Sequence, residues 1–258
     1  QRQMCIRDRH NGASSDNYWW GSGVTGNFVS TPNAVANQIT GDIDIVSYIN
    51  LPNPTGYNNI ITKDDAASNR QFIFAINSNL IRFEINFGVG LVNYSSTTTL
   101  PSTVNRWVRV TRNSSNGEIK FFHSSDALTT NINSITWTQL GSTVIGTAVA
   151  SINGNSIVAI GAQASAGLNA VQGRIHRATI ANSIGGTPVV DFNPATYNAS
   201  TSQTAWTSST GEVWTINTGT ATSGYKGVLV DRTIVQSDGV DDTLLSSTLN
   251  TAQPRTNY

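Results

Sequence analysis

The 258-residue sequence is only 12% charged, 38% hydrophobic, and has a formal net charge of zero. Nucleic-acid backbones are bound by clustered lysine and arginine, so this neutral balance argues against nucleic acid as a partner. No apolar run approaches the roughly 20 residues that a membrane-spanning helix needs, so a membrane is not expected as a partner. The 28 serines, 32 threonines and 28 asparagines suit turns and exposed strand faces, and they favour an all-β fold.

Residues 1–11 differ in composition from the rest of the chain. The opening QRQMCIRDR holds the only cysteine, the only methionine and three of the twelve arginines. It has no apolar core, so it is not a signal peptide. We interpret residues 1–11 as a non-native or disordered leader, with a native leader as the alternative.

Alternating hydrophobic residues predict the first strands. In residues 28–51 the isoleucines at positions 39, 43, 45 and 49 share one face, and Asp42 and Asp44 share the other. Three more strands are predicted at residues 59–63, 70–77 and 80–87. The Asn-Ser-Asn turn between the last two predicts a hairpin.

The central segment predicts three strands at residues 106–111, 118–123 and 134–140. An Asn-Gly pair at 116–117 marks a tight hairpin between the first two, because both residues tolerate positive φ. The succession of W-V-R-V-T-R, N-G, F-F-x-S-S-D and W-T-x-L-G resembles late strands of concanavalin A-like, laminin G-like jelly rolls. The linker over residues 126–137 is longer than that pattern usually has. The resemblance implies a β-sandwich of two antiparallel sheets.

The closing strands of that sandwich are predicted at residues 156–161 and 173–181, followed by V-V-D-F at 189–192. The resemblance therefore implies one jelly-roll domain over residues 12–193. A Ser/Thr-rich extension or junction follows at residues 194–237. Residues 238–258 open with D-G-V-D-D and are interpreted as the truncated start of a second similar module.

The carboxylates of the sequence could serve two kinds of chemistry, glycoside hydrolysis and calcium binding. Retaining glucanases of this fold carry E-x-D-x-x-E on one strand, but the only glutamates here, Glu84, Glu118 and Glu212, are far apart in sequence. We therefore expect no enzyme activity. No cofactor is expected except a structural calcium ion, a habit of the resembled family, for which Asp42 and Asp44 are the candidate ligands. Solvated aspartates are the alternative, as they are for the pairs at 64–65 and 241–242.

Aromatic residues are the remaining candidates for binding, because indole and phenol rings stack on sugars. The candidate glycan-binding residues are Tyr18, Trp19, Trp20 and Trp137. Packing over an open end of the core is the alternative for the cluster at 18–20.

The junction phrases D-F-N-P-A, G-E-V-W-T-I-N and D-G-V-D-D resemble those of phage minor tail and other virion structural proteins that carry such domains in tandem. This resemblance implies a non-enzymatic structural and adhesion module, located on a virion or at a cell surface. Its expected partners are other virion or tail proteins, adjacent modules of the same polypeptide, and cell-surface polysaccharide. The alternative is a carbohydrate-binding module of a secreted bacterial glycan-active enzyme.

Overall fold

The computed structural model of the protein describes residues 17–52, 54, 56–163, 168–197, 204–217 and 228–230. The expected leader, the expected second module and the pair at 241–242 lie outside these ranges. Within the described ranges, no helix is long and apolar enough to cross a membrane.

The described residues form strands joined by turns and three short 3-10 helices. The first nine strands are β1 (Tyr18–Ser22), β2 (Phe28–Thr31), β3 (Ile43–Asn50), β4 (Tyr57–Lys63), β5 (Phe72–Asn77), β6 (Leu80–Asn86), β7 (Leu91–Ser95), β8 (Arg106–Arg112) and β9 (Glu118–Ser124). The remaining strands are β10 (Thr138–Gln139), β11 (Val144–Ile145), β12 (Val158–Ile160), β13 (Gln172–Ala181), β14 (Pro188–Phe192), β15 (Ala205–Thr207), β16 (Val213–Asn217) and β17 (Val228–Val230). The 3-10 helices are Val35–Asn37, Ile132–Ser134 and Pro194–Thr196.

The strands form two antiparallel sheets. Sheet 1 has the order β10-β9-β8-β3-β13-β1-β17, with β11 also paired to β9 and β14 to β13. Sheet 2 has the order β15-β16-β2-β12-β4-β5-β6-β7. Neighbours along the chain pair in the β4–β7 meander, whereas β3 lies between β8 and β13, which come much later. The fold is an all-β jelly-roll sandwich, which confirms the fold class predicted from the sequence.

The core lies between the sheets and follows the period-2 alternation of the strands. Ile45 of β3 and Val110 of β8 are paired in sheet 1, and both side chains are fully buried. In sheet 2, Phe74 of β5 is paired with Phe83 of β6, and neither side chain has exposed surface. These residues belong to a single apolar cluster that draws on both sheets.

Two hairpins have the turns that the sequence predicts. Between β5 and β6, Ser78 and Asn79 have φ of 51° and 64°, the left-handed conformation that a two-residue hairpin turn requires. Between β8 and β9, Gly117 has φ of 74°, and its N–H donates to the Asn113 carbonyl oxygen. Both hairpins are confirmed.

The third central strand is not formed as predicted. Residues 134–140 contain the end of the 3-10 helix Ile132–Ser134 and only the two-residue strand β10. The prediction failed because the apolar residues before β10 pack onto the outside of sheet 1 instead of alternating along a strand.

Sheet 2 continues past residue 193, where the sequence predicted the end of the sandwich. β16 pairs with β2, and β15 pairs with β16. Trp214 of β16 is fully buried and packs edge-on against Phe192, with their ring centroids 5.3 Å apart. Part of the segment expected as an extension therefore completes the edge of sheet 2.

Lys63, at the end of β4, is a fully buried cation. Its Nζ donates to the Asn33 side-chain oxygen and to the Ser156 carbonyl oxygen, 3.0 Å away. Neither acceptor carries a charge, so burial lowers the pKa of the Lys63 ammonium from 10.5 to about 8. The protonated form is therefore disfavoured in the folded protein.

This shift predicts how stability depends on pH. Between pH 8 and 10.5 the unfolded chain holds the Lys63 proton that the folded chain has released, so the free energy of unfolding should rise with pH in this window. The full rise attributable to Lys63 is about 3 kcal/mol. Urea unfolding across this range should show it in the wild type and in Lys120→Met, since Lys120 is a half-exposed surface residue. Lys63→Met should remove it, and an unchanged rise in that variant would contradict the assignment.

Candidate functional site

A second apolar cluster lies on the outer face of sheet 1. Val46 and Tyr48 of β3 and Trp107 of β8 point away from the main core, yet all three are buried. Residues 125–137, here called the cover loop, lie over them. The cover loop contributes Ile135 to this cluster, with Leu128, Ile132 and Trp137 packed around it. The outer face of sheet 1 is therefore enclosed at this place, where an antiparallel sheet commonly faces water.

Hydrogen bonds hold the cover loop in shape. The Trp107 indole N–H donates to the Ala127 carbonyl oxygen at 3.2 Å, which ties the start of the loop to β8. The Asp126 carboxylate accepts the Thr136 N–H at 2.7 Å, which closes the two ends of the loop on each other. Asn131 caps the 3-10 helix by accepting the Asn133 N–H at 3.0 Å.

A pocket of about 250 Å³ opens between the cover loop and the turn after β13. Its floor is the outer face of sheet 1, and its two walls are the cover loop and the turn containing Gly185 and Gly186. The lining residues are Asp44, Val46, Arg109, Ile132, Asn133, Ile135, Trp137, Thr179, Ala181, Gly185, Gly186 and Pro188. The pairing of β3 with β8 and β13 places the floor residues side by side. Val46 of β3 is the direct neighbour of both Arg109 on β8 and Thr179 on β13.

An ion pair between Arg109 and Asp44 occupies the floor of the pocket. Arg109 Nε lies 2.9 Å from Asp44 Oδ1, and its Nη2 lies 2.6 Å from Oδ2. The Gly185 N–H also donates to Asp44 Oδ2 at 2.8 Å, which fixes one wall of the pocket to the floor. A bidentate pair of this kind is geometrically specific, so the floor is held in one arrangement.

Trp137 forms part of the cover-loop wall and keeps some exposed surface. The Arg109 guanidinium carbon lies 5.4 Å from the centre of the Trp137 ring and 5.4 Å from that of Phe122. The Phe122 and Trp137 rings meet nearly edge-on, with centroids 6.5 Å apart. Trp137 is thus oriented by its neighbours before any ligand arrives.

Polar groups remain for a ligand on the floor and one wall. Within the described residues, the Thr179 hydroxyl, the Asn133 side-chain amide and Arg109 Nη1 have no protein hydrogen-bond partner. The pocket therefore combines apolar surface, a partly exposed indole and a few convergent hydrogen-bonding groups, which is the usual composition of small-molecule sites.

Of the four aromatic residues predicted to bind sugars, only Trp137 lies at this pocket. Trp19 is wrong as a candidate, because it points into the core and has no exposed surface. Its indole packs so closely on Gly161 that a Cβ there would lie 2.5 Å from Trp19 Nε1.

The other two aromatic candidates lie elsewhere on β1. Tyr18 is only 6% exposed, with the Arg174 guanidinium 4.8 Å from its ring centre and the His176 ring 5.1 Å away. It is therefore a packed residue and not an open platform. Trp20 is half-buried and does not line the pocket.

The two predicted calcium ligands have different protein partners. Asp44 is the partner of Arg109, and its carboxylate also takes a backbone N–H. The Asp42 carboxylate accepts two hydrogen bonds from Ser114, at 2.7 Å from its N–H and 2.8 Å from its hydroxyl. No group of three or more acidic, His or Cys residues is arranged for a metal among the residues described. Both carboxylates are therefore engaged by protein donors in this structure, and calcium binding by Asp42 and Asp44 stays a prediction.

Sequence reasoning missed most of this site. Arg109 and Thr179 looked like ordinary polar strand residues, and their neighbours depend on which strands pair. One usable signal was the unusual length of the linker at residues 126–137 with its apolar positions Leu128, Ile132 and Ile135. Apolar residues inside a long linker indicate that it packs on a surface.

Comparison with known proteins identifies the fold. No protein-family profile and no curated protein matches this sequence. A Bacteroides ovatus protein provisionally assigned as carbohydrate binding superposes with a TM-score of 0.56 at 10% identity, over 84% of this chain and 60% of its own. The Ruminococcus gnavus sialidase module CBM40, bound to α2,3-sialyllactose, gives 0.45 at 12% identity, over 66% of this chain and 94% of its own. Mouse laminin α1 domains LG4-5 give a TM-score of 0.42 at 14% identity, over 66% of this chain and 41% of their own.

The architecture is the concanavalin A-like, laminin G-like jelly roll that the central strands predict. A shared fold does not by itself specify a function.

The ion pair on the pocket floor gives a testable consequence for stability. Asp44→Asn leaves the Arg109 guanidinium, whose side chain is only 14% exposed, without its anionic partner. Removing one member of a buried pair costs about 3–5 kcal/mol, so urea unfolding should show a loss of this order. Asp42→Asn is the matched control and should lose about 1 kcal/mol, since only hydrogen bonds to Ser114 are weakened.

The same two variants test the calcium hypothesis. Melting temperatures should respond identically to chelator and to millimolar calcium in the wild type, Asp42→Asn and Asp44→Asn. A calcium-dependent rise that either substitution abolishes would restore these aspartates as ligands.

Proposed function

We propose that this protein is a non-enzymatic structural and adhesion module of a virion or phage tail that binds cell-surface glycans through the pocket beside Trp137. Its partners would be neighbouring virion or tail proteins, or adjacent modules of the same polypeptide, and the polysaccharide of a cell surface. It would act outside the cell, on the virion or at the surface to which the virion attaches.

One observation carries the glycan-binding part of this proposal. The pocket places the partly exposed indole of Trp137 beside unpaired polar groups on the floor and wall. Sugars have apolar C–H faces and polar rims, so they suit a site with an aromatic ring on one side and hydrogen-bonding groups on the other. The provisional description of the Bacteroides ovatus protein as carbohydrate binding further supports the proposal of glycan binding.

The virion part rests on the junction phrases in the sequence, such as G-E-V-W-T-I-N at residues 211–217. The second candidate, a carbohydrate-binding module of a secreted bacterial enzyme, is favoured by the fold shared with that Bacteroides protein. The genes around the coding sequence distinguish a virion protein from a module of a secreted enzyme. Tail and capsid genes support the virion, and a hydrolase domain in the same reading frame supports the enzyme.

The three glutamates support a role in binding over catalysis, because each has different partners. Glu84 contacts Tyr57 and Arg82 on sheet 2, Glu118 pairs with Lys120 on sheet 1, and Glu212 is held by hydroxyls of its own turn. Two carboxylates flanking one bond, as retaining and inverting glycosidases require, are not brought together by these contacts.

Incubation with β-glucans, xylans and bacterial surface polysaccharides should therefore release no reducing ends. Release that Glu84→Gln abolishes would contradict the non-enzymatic assignment.

The glycan-binding proposal is tested with three variants on a glycan array. Trp137→Ala should weaken binding about tenfold or more, or ~1.4 kcal/mol, because it removes the aromatic wall. Trp137→Phe should recover part of the loss. Trp20→Ala is the matched control and should bind like the wild type, with melting temperatures verifying that all variants fold. Loss of binding in Trp20→Ala but not in Trp137→Ala would place the site on β1 instead.

A further inference from the structure

The charge inside the pocket indicates what kind of ligand it accepts. Among its described lining residues only Asp44 and Arg109 have acidic or basic side chains, and they are paired with each other through two contacts of 2.9 and 2.6 Å. The pocket floor is therefore close to neutral. The Asp44 carboxylate accepts three hydrogen bonds, two from Arg109 and one from the Gly185 N–H.

An acidic sugar would meet both members of this pair. Its carboxylate would be attracted to Arg109 and repelled by Asp44, which lies against the same guanidinium. Drawing Arg109 away from Asp44 would leave a carboxylate that is only 6% exposed without its cation, which is strongly unfavourable. The rings of Phe122 and Trp137 also restrict the Arg109 guanidinium to its present position.

The size of the pocket limits how much of a glycan enters it. Its volume of about 250 Å³ is below the roughly 300–1,000 Å³ typical of sites for drug-sized ligands. A single sugar ring matches this volume better than an oligosaccharide, which would have to extend beyond the rim.

The walls match the two surfaces of a pyranose ring. Val46, Ile135, Pro188 and the Trp137 indole supply apolar surface for the C–H groups. The Thr179 hydroxyl and the Asn133 amide supply hydrogen bonds for ring hydroxyls without adding charge. Thr179 lines the pocket and is only 2% exposed overall, so little of it is in contact with bulk water.

We infer that the pocket binds one uncharged pyranose, the terminal sugar of a neutral glycan, and discriminates against acidic sugars. This inference rests on the proposed glycan-binding function and specifies its ligand. Recognition is by stacking and by hydrogen bonds from groups that are neutral or, for Arg109, already paired with Asp44, so affinity should be nearly independent of salt concentration, unlike binding driven by net charge.

The test is titration of the full chain, followed by NMR or calorimetry, with two sets of probes. The neutral probes are methyl glycosides of galactose, glucose, mannose and N-acetylglucosamine, and the acidic probes are sialyllactose and glucuronic acid. At least one neutral glycoside should bind tenfold or more tightly than either acidic probe, with the same affinity at low and high salt. Thr179→Val should weaken that binding about fivefold to tenfold, as expected for one hydrogen bond. Thr215→Val, an exposed threonine of β16, is the matched control and should have no effect.

The outcomes separate this inference from the proposed function. Preferential or salt-sensitive binding of the acidic probes would overturn the inference and leave glycan binding intact. Binding of neutral oligosaccharides but of none of the monosaccharide glycosides would overturn the single-ring assignment. Binding of a neutral glycoside that Thr179→Val and Trp137→Ala both leave unchanged would overturn the assignment to this pocket. No binding of any probe, with an array that is also blank, would overturn both.

Discussion

The ion pair between Arg109 and Asp44 is the interaction on which the candidate site depends. It joins β8 to β3, and through the Gly185 N–H it also joins the turn after β13 to the same floor. The upper side of the Arg109 guanidinium lies near Trp137, so the cover loop is positioned by the same residue. One arginine thus contacts the floor and one wall and, through Asp44, fixes the other wall, which explains why a pocket persists on a sheet face.

The cover loop contributes packing energy as well as a wall. Its apolar residues bury Trp107 and Tyr48, whose rings meet edge-on with centroids 5.0 Å apart on the outside of sheet 1. Without the loop these two rings would form an exposed apolar patch. Burying large aromatic rings is a major source of stability in a sandwich, so the sequence of the loop is constrained by folding and by the site together.

The sequence predicts the sandwich well and the site poorly, for a physical reason. Period-2 alternation and Asn-Gly turns are local, so β3, β5, β6 and the β8–β9 hairpin could be read directly. The site depends on β3 pairing with both β8 and β13, more than 50 residues away, which no local pattern encodes. Adjacent aromatics at 18–20 looked like one platform, but alternation along β1 sends Trp19 into the core and its neighbours outward.

The scarcity of charge extends from the pocket to the whole protein. Only 12% of residues are charged, and five ion pairs among the described residues engage ten of those 30 side chains. Such a surface has little long-range electrostatic field with which to attract a charged ligand.

A small neutral pocket also gives weak affinity, because few groups are desolvated and paired. Displaying many copies raises the effective affinity by about 10²–10⁴ when they engage simultaneously. Repeated display would therefore strengthen binding at the proposed single-sugar site, whichever kind of assembly carries it.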